Sequence, residues 1–166
     1  MFQSQATPPM KTTLLSFIPV VLCLLGMASP LRAEPGVTGT FTGDGKPAKL
    51  AFVSASKGEP FSGKDTVKVV LSEKDQSKSK RPEFDAVFGK LGSALVLTIN
   101  TEGAIIGCEV AHSAHKKTPF SSVGKIKATD FKWADGTVQA KVSTGGDGEF
   151  FGQTWNVDLK FEAKVK

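Results

Sequence analysis

From residue 37 onward, apolar and polar positions alternate with a period of two. The clearest run is 155–165, where Trp155, Val157, Leu159, Phe161, Ala163 and Val165 interleave with Asn156, Asp158, Lys160, Glu162 and Lys164. Alternation of this kind gives a strand one apolar and one hydrated face, whereas a helix would scatter the same residues around its circumference. Residues 137–142 repeat the pattern with Val138, Ala140 and Val142. Further strands are predicted over 37–41, 49–56, 66–71, 94–100, 104–112 and 125–133. In the last of these the parity slips, with Ile126 and Ala128 on one face but Phe131 and Trp133 on the other. A β-bulge near Thr129-Asp130 restores the register. Asp44-Gly45, Glu102-Gly103, Asp135-Gly136 and Gly145-Gly146-Asp147-Gly148 punctuate the runs and supply the positive φ of tight hairpin turns. The fold class that follows is all-β, an antiparallel β-sandwich or barrel of about eight strands, since both closures produce the same alternation.

One stretch departs from this period. Residues 72–81 (SEKDQSKSKR) contain no apolar side chain and predict a solvated, mobile loop. Pro82 then opens one short helix over 82–88. Proline suits a first turn, Glu83 and Asp85 suit the positive helix end, and Gly89 can close it. Phe84, Val87, Phe88 and Leu91 fall on one side, so the helix is expected to plug an open end of the β core.

The N-terminal 33 residues have a different grammar. Lys11 precedes an apolar run over 14–27, and Ala28-Ser29-Pro30-Leu31-Arg32-Ala33 follows with small residues. This is the three-part plan of a secretory signal peptide, with cleavage expected after Ala33. The run falls short of the roughly 20 residues that span a bilayer. Met10-Lys11 is the more natural start, because residues 1–9 carry no charge. The domain plan is therefore a signal peptide over 1–33 and a single β domain over 34–166, exported to the periplasm or the extracellular space, with no transmembrane span in the mature chain. Of 21 basic and 16 acidic residues, Lys11 and Arg32 leave with the leader and no acid does. The remaining positive charge is too mild and too scattered for a nucleic-acid partner. Of the two cysteines, Cys23 also leaves, so Cys108 cannot form an internal disulfide and the fold must rest on packing.

Candidate chemistry is sparse. The thiol and both imidazoles of the mature chain fall together in Cys108-Glu109-Val110-Ala111-His112-Ser113-Ala114-His115, the ligand types of zinc and copper. Strand parity points Cys108 into the core. Four residues at about 3.3 Å each also set it roughly 13 Å from His112, too far for one ion to join both. His112 and His115 can meet if the strand ends near His112, and they are the candidate metal ligands. No nucleophile elbow and no acid–base pair is present, so no catalytic residue is nominated. Lys78, Lys80 and Arg81 are candidate surface contacts for an anionic partner, and Trp133, beside a turn, is the candidate exposed aromatic, whereas Trp155 has core parity. The expected function is an exported, non-catalytic domain with a binding or structural role at the cell envelope, its partner an envelope component or a small ligand. The alternatives are a zinc- or copper-binding protein using His112 and His115, and a carrier holding a small hydrophobic ligand inside a phenylalanine-lined barrel. No cofactor is expected outside the metal reading.

Overall fold

The computed structural model describes residues 36–166; the leader and its cleavage site lie outside them. The strands are β1 (Gly36–Gly43), β2 (Lys46–Ala48), β3 (Phe52–Phe61), β4 (Lys64–Ser72), β5 (Ala94–Asn100), β6 (Ile105–Ala111), β7 (Phe120–Ser121), β8 (Lys127–Ala134), β9 (Thr137–Ser143), β10 (Gly148–Phe150) and β11 (Gln153–Lys164), with helix α1 (Pro82–Val87) between β4 and β5. They form two antiparallel sheets. The first has the order β2-β1-β11-β9-β8 with β10 also on β11, and the second has the order β3-β4-β5-β6-β7. The sheets stay open and face one another as a β-sandwich, which decides against the closed barrel. At one edge the chain end bridges them: Val165 pairs with Ala55 of β3, and the Lys166 amide donates to the Ala55 carbonyl at 3.0 Å.

The alternation read from the sequence is the packing code of the interior. Phe41, Val138, Ala140, Val142, Trp155, Val157, Leu159 and Phe161 of the first sheet meet Val67, Val69, Leu71, Leu95, Leu97, Ile99, Cys108 and Val110 of the second, all buried. The even-numbered residues of β11 between Asp158 and Lys164 stand on the hydrated face. The expected bulge is present, with the β8–β9 register shifting between Thr129 and Lys132 and Asp130 at φ 52°. A second irregularity between Thr98 and Ile99 shifts the start of β6, so that Ile105, not Ile106, packs against the core.

Three expectations are corrected. The helix does not plug an end of the sandwich. It lies on the outer face of the second sheet, where Ala86 and Leu91 pack on Val70, Ala94 and Val96. The small side chains of Ala86 and Ala94 allow that close approach, and they turn Phe84 and Phe88 outward, the latter 63% exposed. The two rings rest on each other at 4.3 Å, with the Arg81 guanidinium over Phe84 at 4.4 Å.

Residues 72–81 are not uniformly solvated either. Ser72 and Gln76 are buried, and the Gln76 amide donates to the Val70 carbonyl and accepts from Ser54 Oγ, both at 3.0 Å. One polar side chain with two good partners thus pins a loop that has no apolar residue.

Last, Gly145-Gly146-Asp147-Gly148 is not a hairpin turn. β9 and β10 both run antiparallel to β11, so this stretch is an excursion within one long hairpin that turns at Phe151-Gly152 (φ 50° and 75°). Thr144 closes the gap: its amide donates to the Val157 carbonyl at 3.0 Å, and its hydroxyl accepts from the Val157 amide at 3.1 Å.

Truncation of two phenylalanines separates core from surface. Phe161→Ala should lower unfolding free energy by about 3–5 kcal/mol and Phe88→Ala by under about 1 kcal/mol, read by urea denaturation of each variant.

Candidate functional site

The imidazoles lie where β6 runs out at one end of the sandwich. Inward parity carries past β6 to His112, which is buried and meets the Phe41 ring edge-on at 4.9 Å. The chain then turns, with the His115 amide donating to the His112 carbonyl at 3.0 Å, and this turn brings the two rings to a centroid separation of 5.2 Å. His115 is buried as well and packs near Phe120 of β7, which stacks on Phe150 of β10 at 4.5 Å.

One nitrogen of each ring is committed. The Ala114 amide donates to His112 Nδ1 at 3.1 Å, so the neutral His112 ring carries its proton on Nε2. His115 Nε2 donates to the Thr154 carbonyl of β11 at 2.9 Å, 39 residues further along the chain. That carbonyl also accepts from the Asp44 amide at 2.9 Å, and Asp44 Oδ1 accepts from the Thr154 amide at 2.8 Å. Next to it, the Gln153 side chain accepts from the Lys117 amide at 2.7 Å and donates to the Lys117 carbonyl at 2.8 Å. The loop over 112–119 is therefore held to the opposite sheet by a buried imidazole and a buried amide. Gly43 completes the enclosure. A Cβ there would stand 2.5 Å from His112 Cγ and 2.7 Å from His115 Nε2, so only glycine leaves the rings room.

The remaining nitrogens, His112 Nε2 and His115 Nδ1, are buried without a hydrogen-bond partner. For His112, burial holds the ring below the usual imidazole range, and the neighbouring His115 adds to this. The carboxylates of Glu73 and Asp44 and the Lys46 backbone oppose it, but Nε2 reaches none of them in hydrogen-bond geometry. Cys108 is fully enclosed, and burial pushes its thiol up to about 12, helped by the Glu109 charge. At neutral pH it is a small apolar side chain rather than a nucleophile.

The sequence-predicted residues thus divide. His112 and His115 come together as the turn requires. Among the described residues, however, no group of three or more His, Cys, Asp or Glu is placed to hold a metal ion. With one nitrogen of each ring already bonded, the pair acts as a fastening between loop and sheet. Lys78, Lys80 and Arg81 are exposed. Trp133 is half-buried and packs against the core edge, which corrects its reading as an exposed aromatic. The two sheets stay open, so the described residues form no closed barrel of the kind expected of a hydrophobic-ligand carrier. Clefts of about 320 Å³ and 330 Å³ flank α1 on the outside, and another of about 490 Å³ reaches its first residues, Pro82 and Glu83. Asp44, Gln153, Thr154 and Gly43 were missed, because each sits in a turn or strand end remote in sequence and carries no periodic signal.

Comparison of the chain with protein-family models, with curated proteins and with solved structures finds no match.

The His112 environment sets a pH dependence. A ring held below its unfolded value near 6.5 takes up protons more readily in the unfolded chain, so its effect on stability is absent above that value and grows as pH falls. Urea-denaturation midpoints should hold steady from about pH 8 down to about pH 6.5 and then decline, well before the aspartates titrate. A midpoint flat down to about pH 4.5 would show that the ring is not buried as described.

Proposed function

We propose that this chain is an exported, non-catalytic domain with a binding or structural role at the cell envelope. The observation that supports this best is the division between inside and outside. Cys108, His112 and His115, the groups best suited to nucleophilic or acid–base work near neutral pH, are all buried, with His112 only bordering the 330 Å³ cleft beside α1. General acid–base or nucleophilic catalysis needs such groups within hydrogen-bond reach of a substrate. Outside, one region gathers features suited to contact: the exposed Phe84–Phe88 pair on α1, Arg81 stacked over Phe84, Lys90 beside it, and the exposed Lys78 and Lys80 in the segment that leads into the helix. Asp85 is drawn to the Lys90 ammonium at 2.8 Å and accepts from Ser79 Oγ at 2.6 Å, which fixes this surface rather than leaving it loose. Arginine and aromatic side chains are the types enriched where proteins recognise partners. Export rests on the leader pattern of residues 1–33.

Fractionation of cells expressing the full chain should place it outside the cytoplasm with an intact mass lacking residues 1–33. Its binding to isolated envelope fractions should weaken about tenfold in a Lys80→Glu, Arg81→Glu variant. Retention of the unprocessed chain in the cytoplasm contradicts export. Turnover in a broad hydrolase substrate panel, abolished by one substitution, contradicts the non-catalytic role.

A further inference from the structure

We propose that the segment 112–119 is an acid-released latch: a proton taken up at His112 Nδ1 displaces the Ala114 amide and frees the segment from the end of the sandwich. The argument begins with one lone pair. In the neutral ring, Nδ1 is the acceptor that receives the Ala114 N–H at 3.1 Å. An incoming proton must occupy that same lone pair, after which two N–H groups point at each other and the bond is gone. The cation that forms is poorly compensated. Its other N–H, at Nε2, is buried, and although the Lys46 backbone lies near enough to favour the charged ring, no acceptor stands in hydrogen-bond geometry to it.

The charged groups around the ring do not rescue it. From the β1–β2 turn, Asp44 reaches His112 through its field only, with its Oδ1 accepting from the Thr154 amide. From the segment after β4, Glu73 does the same while accepting from the Ser93 amide at 2.5 Å. β2 contributes the Lys46 backbone, which favours the charged ring but does not outweigh its burial, and the segment itself carries the cationic Lys116 and Lys117. Lys90, in the segment that follows α1, is engaged with Asp85. His115, its ring 5.2 Å away, disfavours a charge on His112. Among the described residues, no carboxylate forms an ion pair with either ring.

The attachments at risk are few and adjacent. Opening the 112–115 turn removes the support for the His115–Thr154 bond, and beyond it only the Gln153–Lys117 pair ties the segment to β11. Thr118 and Pro119 form one side of the 330 Å³ cleft that His112, Ala111 and Phe88 also line. Release therefore opens that cleft and uncovers Phe120, whose ring is buried between His115 and Phe150. A histidine with a single consumable lone pair, sealed among rings, is suited to such a transition because its unperturbed titration falls near physiological pH.

Amide hydrogen exchange tests this directly, with intrinsic rates corrected for pH. Between about pH 8 and about pH 5, protection of the Ala114, His115 and Lys117 amides should fall at least about tenfold relative to the amides of β5. In His112→Asn, whose carbonyl can still accept from Ala114 but does not titrate, this differential loss should vanish. Equal protection at both pH values overturns the proposal, as does a loss of the same size in the variant. Should the variant not fold, nitrogen chemical shifts of the wild-type imidazoles decide. The Nε2–H tautomer of His112 at about pH 8 is required, and an Nδ1–H tautomer there refutes the latch.

Discussion

The closure of one apolar face on another governs this molecule. β4 and β5 present Val67, Val69, Leu71, Leu95, Leu97 and Ile99 to the opposing β11 and β9, and each of these side chains is withdrawn from water. At about 25 cal/mol per Å² of buried apolar surface, such an interface is the main favourable term available to a domain whose described residues hold one thiol and no disulfide. The same closure fixes orientation everywhere else. A one-residue slip in any strand would exchange its whole inward set for its hydrated set, so the pairing register is tightly specified.

The site at the end of the sandwich follows from that constraint. Parity carries β6 inward as far as His112, which places a titratable ring where the strand pattern wants an apolar one. The ring is accommodated because Gly43 yields space, Phe41 offers an edge, and the turn to His115 supplies a donor for Nδ1. His115 then spans to the Thr154 carbonyl, where three chain segments meet. The polar groups there tie a loop of one sheet to a hairpin of the other, a connection that no backbone pairing makes. The Ala114 amide can donate to Nδ1 only while the His112 ring is neutral, and on the proposed latch a structural fastening also carries a sensitivity to acid.

Much of the fold was legible because it rests on local period and turn chemistry. The long alternation of β11, the bulge at Thr129-Asp130, and the positive-φ pairs at Asp44-Gly45 and Asp135-Gly136 are all written in neighbouring residues. What escaped is non-local or too short to show a period. β2, β7 and β10 have two or three residues each. The hairpin turn at Phe151-Gly152 places a phenylalanine at positive φ, an uncommon choice, so the glycine-rich run before it drew the turn assignment instead. For α1, helical spacing grouped Phe84 with Phe88 but could not say that the sheet beneath wanted Ala86. In the site, the proximity of His112 and His115 was legible from the strand end. The bonding partners at Thr154 and Gln153 were not, because they arrive through the tertiary fold.

Reactivity of the Cys108 thiol measures the inside-out assignment most directly, in protein carrying Cys23→Ser so that Cys108 is the only thiol. A disulfide reagent added to the folded protein near neutral pH should modify it only at the slow rate of unfolding, with full and rapid reaction once urea unfolds the chain. Rapid stoichiometric modification of the folded protein would mean that β6 faces the other way, and the account of the core and of the enclosed imidazoles would fall with it.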